Sequence, residues 1–184
     1  NILCDFSGYH DHSIEFAGGL TFIEYYQKVS YFSSFLNNVR IIDFLENNLH
    51  LFSLNRFNST KTSLSKLYEK RNQNTELLKK IAANAYQAKN ALANNEFQTF
   101  SMCFDRQRQI KQKLTGDFSD PVLEQFIDSL NKKGYYVQIP GGKIGGYLMI
   151  IDLYNDLSSL QKLLSNYPQM NFKITNSDLT IKIQ

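Results

Sequence analysis

The sequence predicts an α+β fold: helices on an antiparallel sheet, with a split βαβ (ferredoxin-like) sandwich in the last third and a long antiparallel helical pair in the middle. Three observations predict it. β-type runs stand at both ends of the chain. Between them, Leu64, Leu67, Tyr68, Leu77, Leu78, Ile81, Ala85, Ala88 and Leu92 largely keep a 3.6-residue period. After that, helical and extended patterns alternate over short stretches with turn residues between them.

Taken in order, residues 1–12 (NILCDFSGYHDH) are polar and irregular, with Gly8 as a breaker. Leu20 to Tyr26 and Val29 to Leu36 read as β-type runs rich in aromatic residues. Val39 to Glu46 reads as a short helix, Leu49 to Leu54 as a strand, and residues 55–63 (NRFNSTKTS) as a turn-rich loop. The long helix is interrupted at Asn94-Asn95, and Phe97, Phe100, Cys103, Phe104, Ile110 and Leu114 continue the period on a second one. A short polar turn between two long helices makes them antiparallel neighbours.

Residues 115–119 form a loop, and Asp120-Pro121 opens the next helix. The Asp carboxylate accepts the free N–H groups of the first turn, and Pro fits where no N–H is needed. That helix runs through Val122, Leu123, Phe126, Ile127 and Leu130 and ends at Lys132-Lys133-Gly134, cations and a left-handed exit suiting a helix C-terminus. Tyr135 to Ile139 and Tyr147 to Leu153 are strands around a glycine-rich turn, and Asp156 to Ser165 is an amphipathic helix stopped near Tyr167-Pro168. Met170 to Ile174 and Leu179 to Ile183 alternate across Asn176-Ser177-Asp178 as a hairpin would.

Composition narrows the function. A chain of 184 residues suits one domain, or one domain with part of another. Its formal charge of +3 comes from Lys and Arg dispersed among Asp and Glu, which argues against nucleic acid as a partner. The two cysteines, Cys4 and Cys103, lie far apart and form no CxxC pair; Cys103 on the helical stripe reads as a reduced core thiol. No run of about 18 apolar residues predicts a membrane span, and no signal-peptide pattern is seen, so the location expected is cytoplasmic. Opening at Asn1 rather than Met, the chain reads as a fragment, a processed product or one half of a longer protein.

Two glycine-bearing segments stand out, residues 8–19 (GYHDHSIEFAGG) and 140–147 (PGGKIGGY). Each alone is compatible with an ordinary tight turn. Their order, with two long helices between them, carries the signal. In that order the chain resembles the GHMP kinases, closest to those acting on heptose 7-phosphate. Their segment G-x-Q-D-Q-x-x-x-x-F-G-G is similar to Gly8-Tyr9-His10-Asp11-His12 with Phe16-Ala17-Gly18-Gly19, and the strand after it to Leu20-Thr21-Phe22-Ile23-Glu24-Tyr25. Leu51 to Arg56 resembles the family's next strand and its arginine turn, and Ser119-Asp120-Pro121 the start of a later helix. The stretch 140–148 occupies the place of the family's T-G-A-G-G-G-G-F turn.

The resemblance implies ATP-dependent phosphoryl transfer, with Mg²⁺, to a hydroxyl of a sugar phosphate. It implies that Asp11 is catalytic and accepts the proton of the attacking hydroxyl. His10, His12, Gly18, Gly19 and Arg56 are implied in substrate binding. Gly141, Gly142, Lys143, Gly145 and Gly146 are implied on the phosphate side, where backbone N–H groups approach closely because the residues are small. It also implies a division into residues 1–62, part of an N-terminal kinase domain, and 63–184, the C-terminal domain.

The chain departs from the family in three ways. The ATP loop P-x-x-x-G-L-G-S-S is absent from these residues, both flanking Gln residues are His10 and His12, and Lys143 and Ile144 replace central glycines. The partners expected are therefore a small-molecule sugar phosphate together with a missing N-terminal half or a second copy. The departures also support an alternative: a degenerate kinase retained as a binding or protein-interaction module. A metal site at His10-Asp11-His12 would need a fourth ligand and supporting partners, so no resident metal is assigned.

Overall fold

The computed structural model describes residues 20–26, 29–35, 38–55, 72–115, 120–140 and 146–174. Strands β1 (Thr21–Tyr26) and β2 (Val29–Ser34) form an antiparallel ribbon, closed at its open end by Phe35 N–H donating to the Leu20 carbonyl at 3.0 Å. Helix α1 (Val39–Asn48) starts at Asn38, whose side chain accepts from Ile41 N–H. It runs straight into β3 (Leu49–Ser53).

Helices α2 (Thr75–Ala93) and α3 (Phe97–Thr115) form the long hairpin. Between them the chain reverses at Asn95, which takes φ +59°, a left-handed conformation that Asn tolerates better than most residues. Polar contacts fix the antiparallel register: Asn84 donates to the Cys103 carbonyl at 2.9 Å, and Arg106 to Gln87 at 2.8 Å. Cys103 is buried, and burial pushes its thiol pKa up, in keeping with a reduced core residue.

Helix α4 (Pro121–Asn131) opens as the sequence requires, with the Asp120 carboxylate accepting from Val122 and Leu123 N–H at 3.0 and 3.2 Å. Leu123, Ile127 and Leu130 face the core, whereas Val122, at the outer side of the first turn, is exposed. Gly134 leaves the helix with φ +90°. Strands β4 (Tyr135–Gln138) and β5 (Tyr147–Asp152), helix α5 (Leu157–Leu163, capped by Asp156) and the short β6 (Gln169–Met170) follow.

The larger sheet has the order β4-β5-β3-β6, with every neighbouring pair antiparallel. Consequently β5 and β6, joined through α5, run parallel on either side of β3. One face buries Phe52, Val137, Leu148 and Ile150 against Leu123, Ile127 and Leu130 of α4 and Leu160 of α5. The other packs Ile151 and Tyr136 with Ile41, Phe44 and Leu45 of α1, Leu92 of α2 and Phe97 and Phe100 of α3. Cover on both faces explains why Leu148-Met149-Ile150-Ile151 reads as an unbroken apolar run rather than an alternating one.

Of the hairpin expected from Met170 to Ile174 and Leu179 to Ile183, the second arm lies outside the described residues. At the start of the first arm Gln169–Met170 pairs with Leu51 and Phe52 of β3, and Ser53 N–H donates to the Pro168 carbonyl at 2.8 Å. One expectation changes. In α2, Leu78 is exposed and Asn84 takes a buried position on the helix–helix seam. The division expected at residues 62–63 lies outside the described residues; β3, before it, pairs with β5 and β6, after it.

A Cβ at position 134 would meet the Tyr154 ring at 2.7 Å, but Tyr154 is exposed and free to swing aside. The left-handed backbone is then the dominant cost of Gly134→Ala, about 1–2 kcal/mol of lost stability. Chemical denaturation should show that loss, and adding Tyr154→Ala should recover little of it.

Candidate functional site

Of the residues implied in the site, Gly146 is described; His10, Asp11, His12, Gly18, Gly19, Arg56, Gly141, Gly142, Lys143 and Gly145 lie outside the described residues. The site is therefore built from its flanks. β4 ends and β5 begins at one end of the larger sheet. At that end Ser53 stands opposite Tyr147 across the β3–β5 ladder. One residue on, Leu54 N–H donates to the Gly146 carbonyl at 2.7 Å.

The chain leaves β3 through Asn55 toward Arg56 at the same sheet end. The exit of the glycine turn and the approach to Arg56 are thus hydrogen-bonded neighbours, though separated by about 90 residues of sequence. The other flank, Leu20 at the end of segment 8–19, packs on the α1–α3 side of the sheet. There it lines a largely apolar groove of about 330 Å³ with Leu45, Leu49, Phe100, Met149 and Lys173.

The ribbon is pinned by charge. Glu24 accepts from the Tyr86 hydroxyl at 2.7 Å and from Lys89 at 3.1 Å, while the Lys89 ammonium sits 4.6 Å from the centre of the Phe22 ring. These bonds lower the Glu24 carboxyl pKa, the Tyr86 bond first.

A second polar group lies between α3 and α4 and was not foreseen. Arg108, 4% exposed at its side chain, donates to Asp105 Oδ1 through Nε and Nη2 and to Glu124 Oε2 through Nη1. Asp105 also accepts from Asn131 and Gln109. The sequence signal available was Asp105 and Arg108 at i,i+3 on the seam side of a helix, a spacing usually assigned to solvent.

A third polar group lies in the larger sheet. His50 is 7% exposed in mid-sheet, and Asp152, fully buried, accepts from Tyr154 N–H at 2.9 Å. Burial lowers the His50 pKa, partly opposed by the charge of Asp152. Among the described residues no set of three His, Cys, Asp or Glu is placed to hold a metal ion. No helix among them is long and apolar enough to cross a membrane.

The described residues form an α+β fold with antiparallel sheets and five helices, and this fold is similar to that of several solved proteins. The likeness is to particular solved proteins. Mevalonate kinase of L. major, in complex with R-mevalonate, matches with a TM-score of 0.62 at 18% identity, over 81% of this chain and 45% of its own. A Lin0012 protein from Listeria innocua matches with 0.62 at 13%, over 84% and 46%. The mevalonate diphosphate decarboxylase of Enterococcus faecalis matches with 0.51 at 16%, over 77% and 45%. The chain thus spans somewhat under half the length of the structures it matches. By sequence, no protein-family model and no curated protein matches it.

Two outcomes follow from the buried groups. Arg108→Met should cost about 3–5 kcal/mol, because Asp105 and Glu124 remain as uncompensated, largely buried charges; urea unfolding reads the loss. His50 has a folded-state pKa below its ordinary 6.5, so the unfolded chain binds the extra proton. Its contribution is fully present above about pH 6.5 and is lost as pH falls through that value toward the folded one. Urea midpoints should therefore decline between about pH 7.5 and about pH 5.5, and less steeply in His50→Gln.

Proposed function

We propose that the chain is the C-terminal, substrate-side part or subunit of a cytoplasmic GHMP-family sugar-phosphate kinase. It would take the phosphoryl group of ATP to a hydroxyl of a heptose phosphate or related sugar. The observation that carries this reading is the sheet end where Leu54 N–H holds the Gly146 carbonyl, which ties the glycine turn to the approach of Arg56. The fold shared with mevalonate kinase and mevalonate diphosphate decarboxylase supports it. On this reading residues 63–184 make up a C-terminal domain of split βαβ topology and residues 1–62 part of an N-terminal domain that lends the central strand β3 to its sheet.

On this reading Asp11 holds the attacking hydroxyl and accepts its proton, a general-base role worth on the order of 10²–10⁴-fold in rate. His10, His12, Gly18 and Gly19 flank the sugar, and Arg56 neutralises its phosphate as a bidentate donor. The backbone N–H groups of Gly141, Gly142, Gly145 and Gly146 face phosphate oxygens, with Lys143 as a point charge beside them. ATP with Mg²⁺, when bound, supplies the transferable group with its charge neutralised. The ATP loop is assigned to an N-terminal half or a second copy.

Full-length material should release ADP with heptose 7-phosphate and much less with mevalonate. Asp11→Asn should lower turnover at least about 100-fold with an unchanged melting temperature. A large fall in melting temperature would instead mark Asp11 as structural. The second reading, a degenerate interaction module, is favoured by Lys143-Ile144 within the glycine turn. Calorimetry separates the two: binding of neither sugar phosphate nor ATP·Mg²⁺ leaves only the module.

A further inference from the structure

Tyr135 opens β4 on the sheet face that packs against α4 and α5. It is 6% exposed and belongs to the apolar cluster there, yet its hydroxyl makes no hydrogen bond among the described residues. Its side chain forms part of the wall of a cavity of about 420 Å³, set between the C-terminal end of α4 and helix α5. Lys133, Tyr154, Asp156, Ser159 and Lys162 line the same space. That volume suits a small ligand. With its ring held in the core, Tyr135 offers the cavity its hydroxyl. Burial, and then the charges of Asp152 and Asp156, raise the Tyr135 pKa, so the hydroxyl stays a proton donor.

The charges favour an anion. Lys133 and Lys162 are exposed, and neither is in an ion pair among the described residues, whose pairs use Lys79, Lys89 and Arg108. Asp156 is already engaged as the cap of α5, accepting from Ser158 Oγ at 2.9 Å and Ser159 N–H at 3.1 Å. The Ser159 and Ser158 bonds lower its pKa, and the charge of Lys162 adds to them. Asp152, across the ladder from Tyr135, is fully buried and does not line the cavity. Two ammonium groups thus face one committed carboxylate, which matches the charge of about −1.5 to −2 that a phosphate monoester carries at neutral pH. At the rim the Tyr154 ring lies against Gly134 and is 75% exposed, leaving flat apolar surface beside the cations.

We propose that this cavity binds a small phosphate monoester carried on a flat ring. Lys133 and Lys162 take the phosphate, the Tyr135 hydroxyl donates to it, and Tyr154 covers the ring. The site lies at the end of the β4–β5 ladder marked by Tyr135 and Asp152, away from Gly146, and it stands without the kinase reading.

The test is calorimetry of the 184-residue chain with phenyl phosphate as probe, beside inorganic phosphate and benzyl alcohol, with urea midpoints in parallel. Phenyl phosphate should bind at least about tenfold more tightly than either of the others. Lys133→Gln and Lys162→Gln should each weaken it by about tenfold. Tyr135→Phe keeps the ring in the core and should weaken it by about fivefold at an unchanged urea midpoint. Tyr154→Ala should weaken phenyl phosphate by about fivefold and leave inorganic phosphate unaffected. Lys132, also exposed but outside the lining, is the control: Lys132→Gln should bind as the unsubstituted chain does.

No binding of phenyl phosphate, equal affinity for inorganic phosphate, or full affinity in Tyr135→Phe each overturns the proposal. So does a loss in Lys132→Gln as large as in Lys133→Gln, which would mark diffuse attraction to surface charge. Should Tyr135→Phe lower the urea midpoint, the surface variants Lys133→Gln, Lys162→Gln and Tyr154→Ala decide. Binding lost in Arg56→Ala but kept in Lys133→Gln would put the probe at the implied sugar-phosphate site, and the proposal would fall while the kinase reading stood.

Discussion

The placement of β3 between β5 and β6 is the constraint on which the rest of the structure depends. Its two edges are both used, by Met149 and Leu148 on one side and by Met170 and Gln169 on the other. Because β3 is central, its faces must both be covered. Phe52 turns toward α4 and α5, while Leu49 turns toward α1 and α3. The helical hairpin is therefore a wall of the sandwich as well as a connection between strands. The same ladder ends at Ser53–Tyr147, and just beyond it Leu54 N–H binds the Gly146 carbonyl.

Much of this architecture is legible locally. Asp120 as a cap, Gly134 as a left-handed exit and Cys103 as a core thiol each follow from the chemistry of one residue and its near neighbours, and the structure has all three. What escaped has a common cause. Asn84, Asp105, Arg108 and His50 are polar side chains in buried positions, and a periodicity argument counts polar residues as outward-facing. The Asp105–Arg108 pair is local, but Asn84, Arg108 and Asp105 also have partners 19, 16 and 26 residues away in the helix–helix contacts, and these no local window contains. An extended segment from Met170 was legible, but its pairing with β3 was not, because that depends on a tertiary neighbour.

The sequence presents the candidate site as an ordered set of segments, of which the described residues include Gly146 and the neighbouring Leu20 and Asn55. The β3–β5 register joins two of these flanks through one backbone hydrogen bond. That adjacency could not be read from composition or spacing, because it depends on which strand lies beside which. The likeness to mevalonate kinase and mevalonate diphosphate decarboxylase is one of fold.

The β3–β5 ladder also shapes how the molecule comes into being. Leu49 and its partner Ile151 are separated by about a hundred residues, so β3 leaves the ribosome several seconds before β5 exists, at a typical synthesis rate of about 5–20 residues per second. During that interval the nascent chain can close the local α2–α3 hairpin while Phe52 and Leu54 still have no sheet to enter. Helix pairing first and sheet closure last is the order such a topology favours, and the waiting strand is the stretch a chaperone would have most reason to shield.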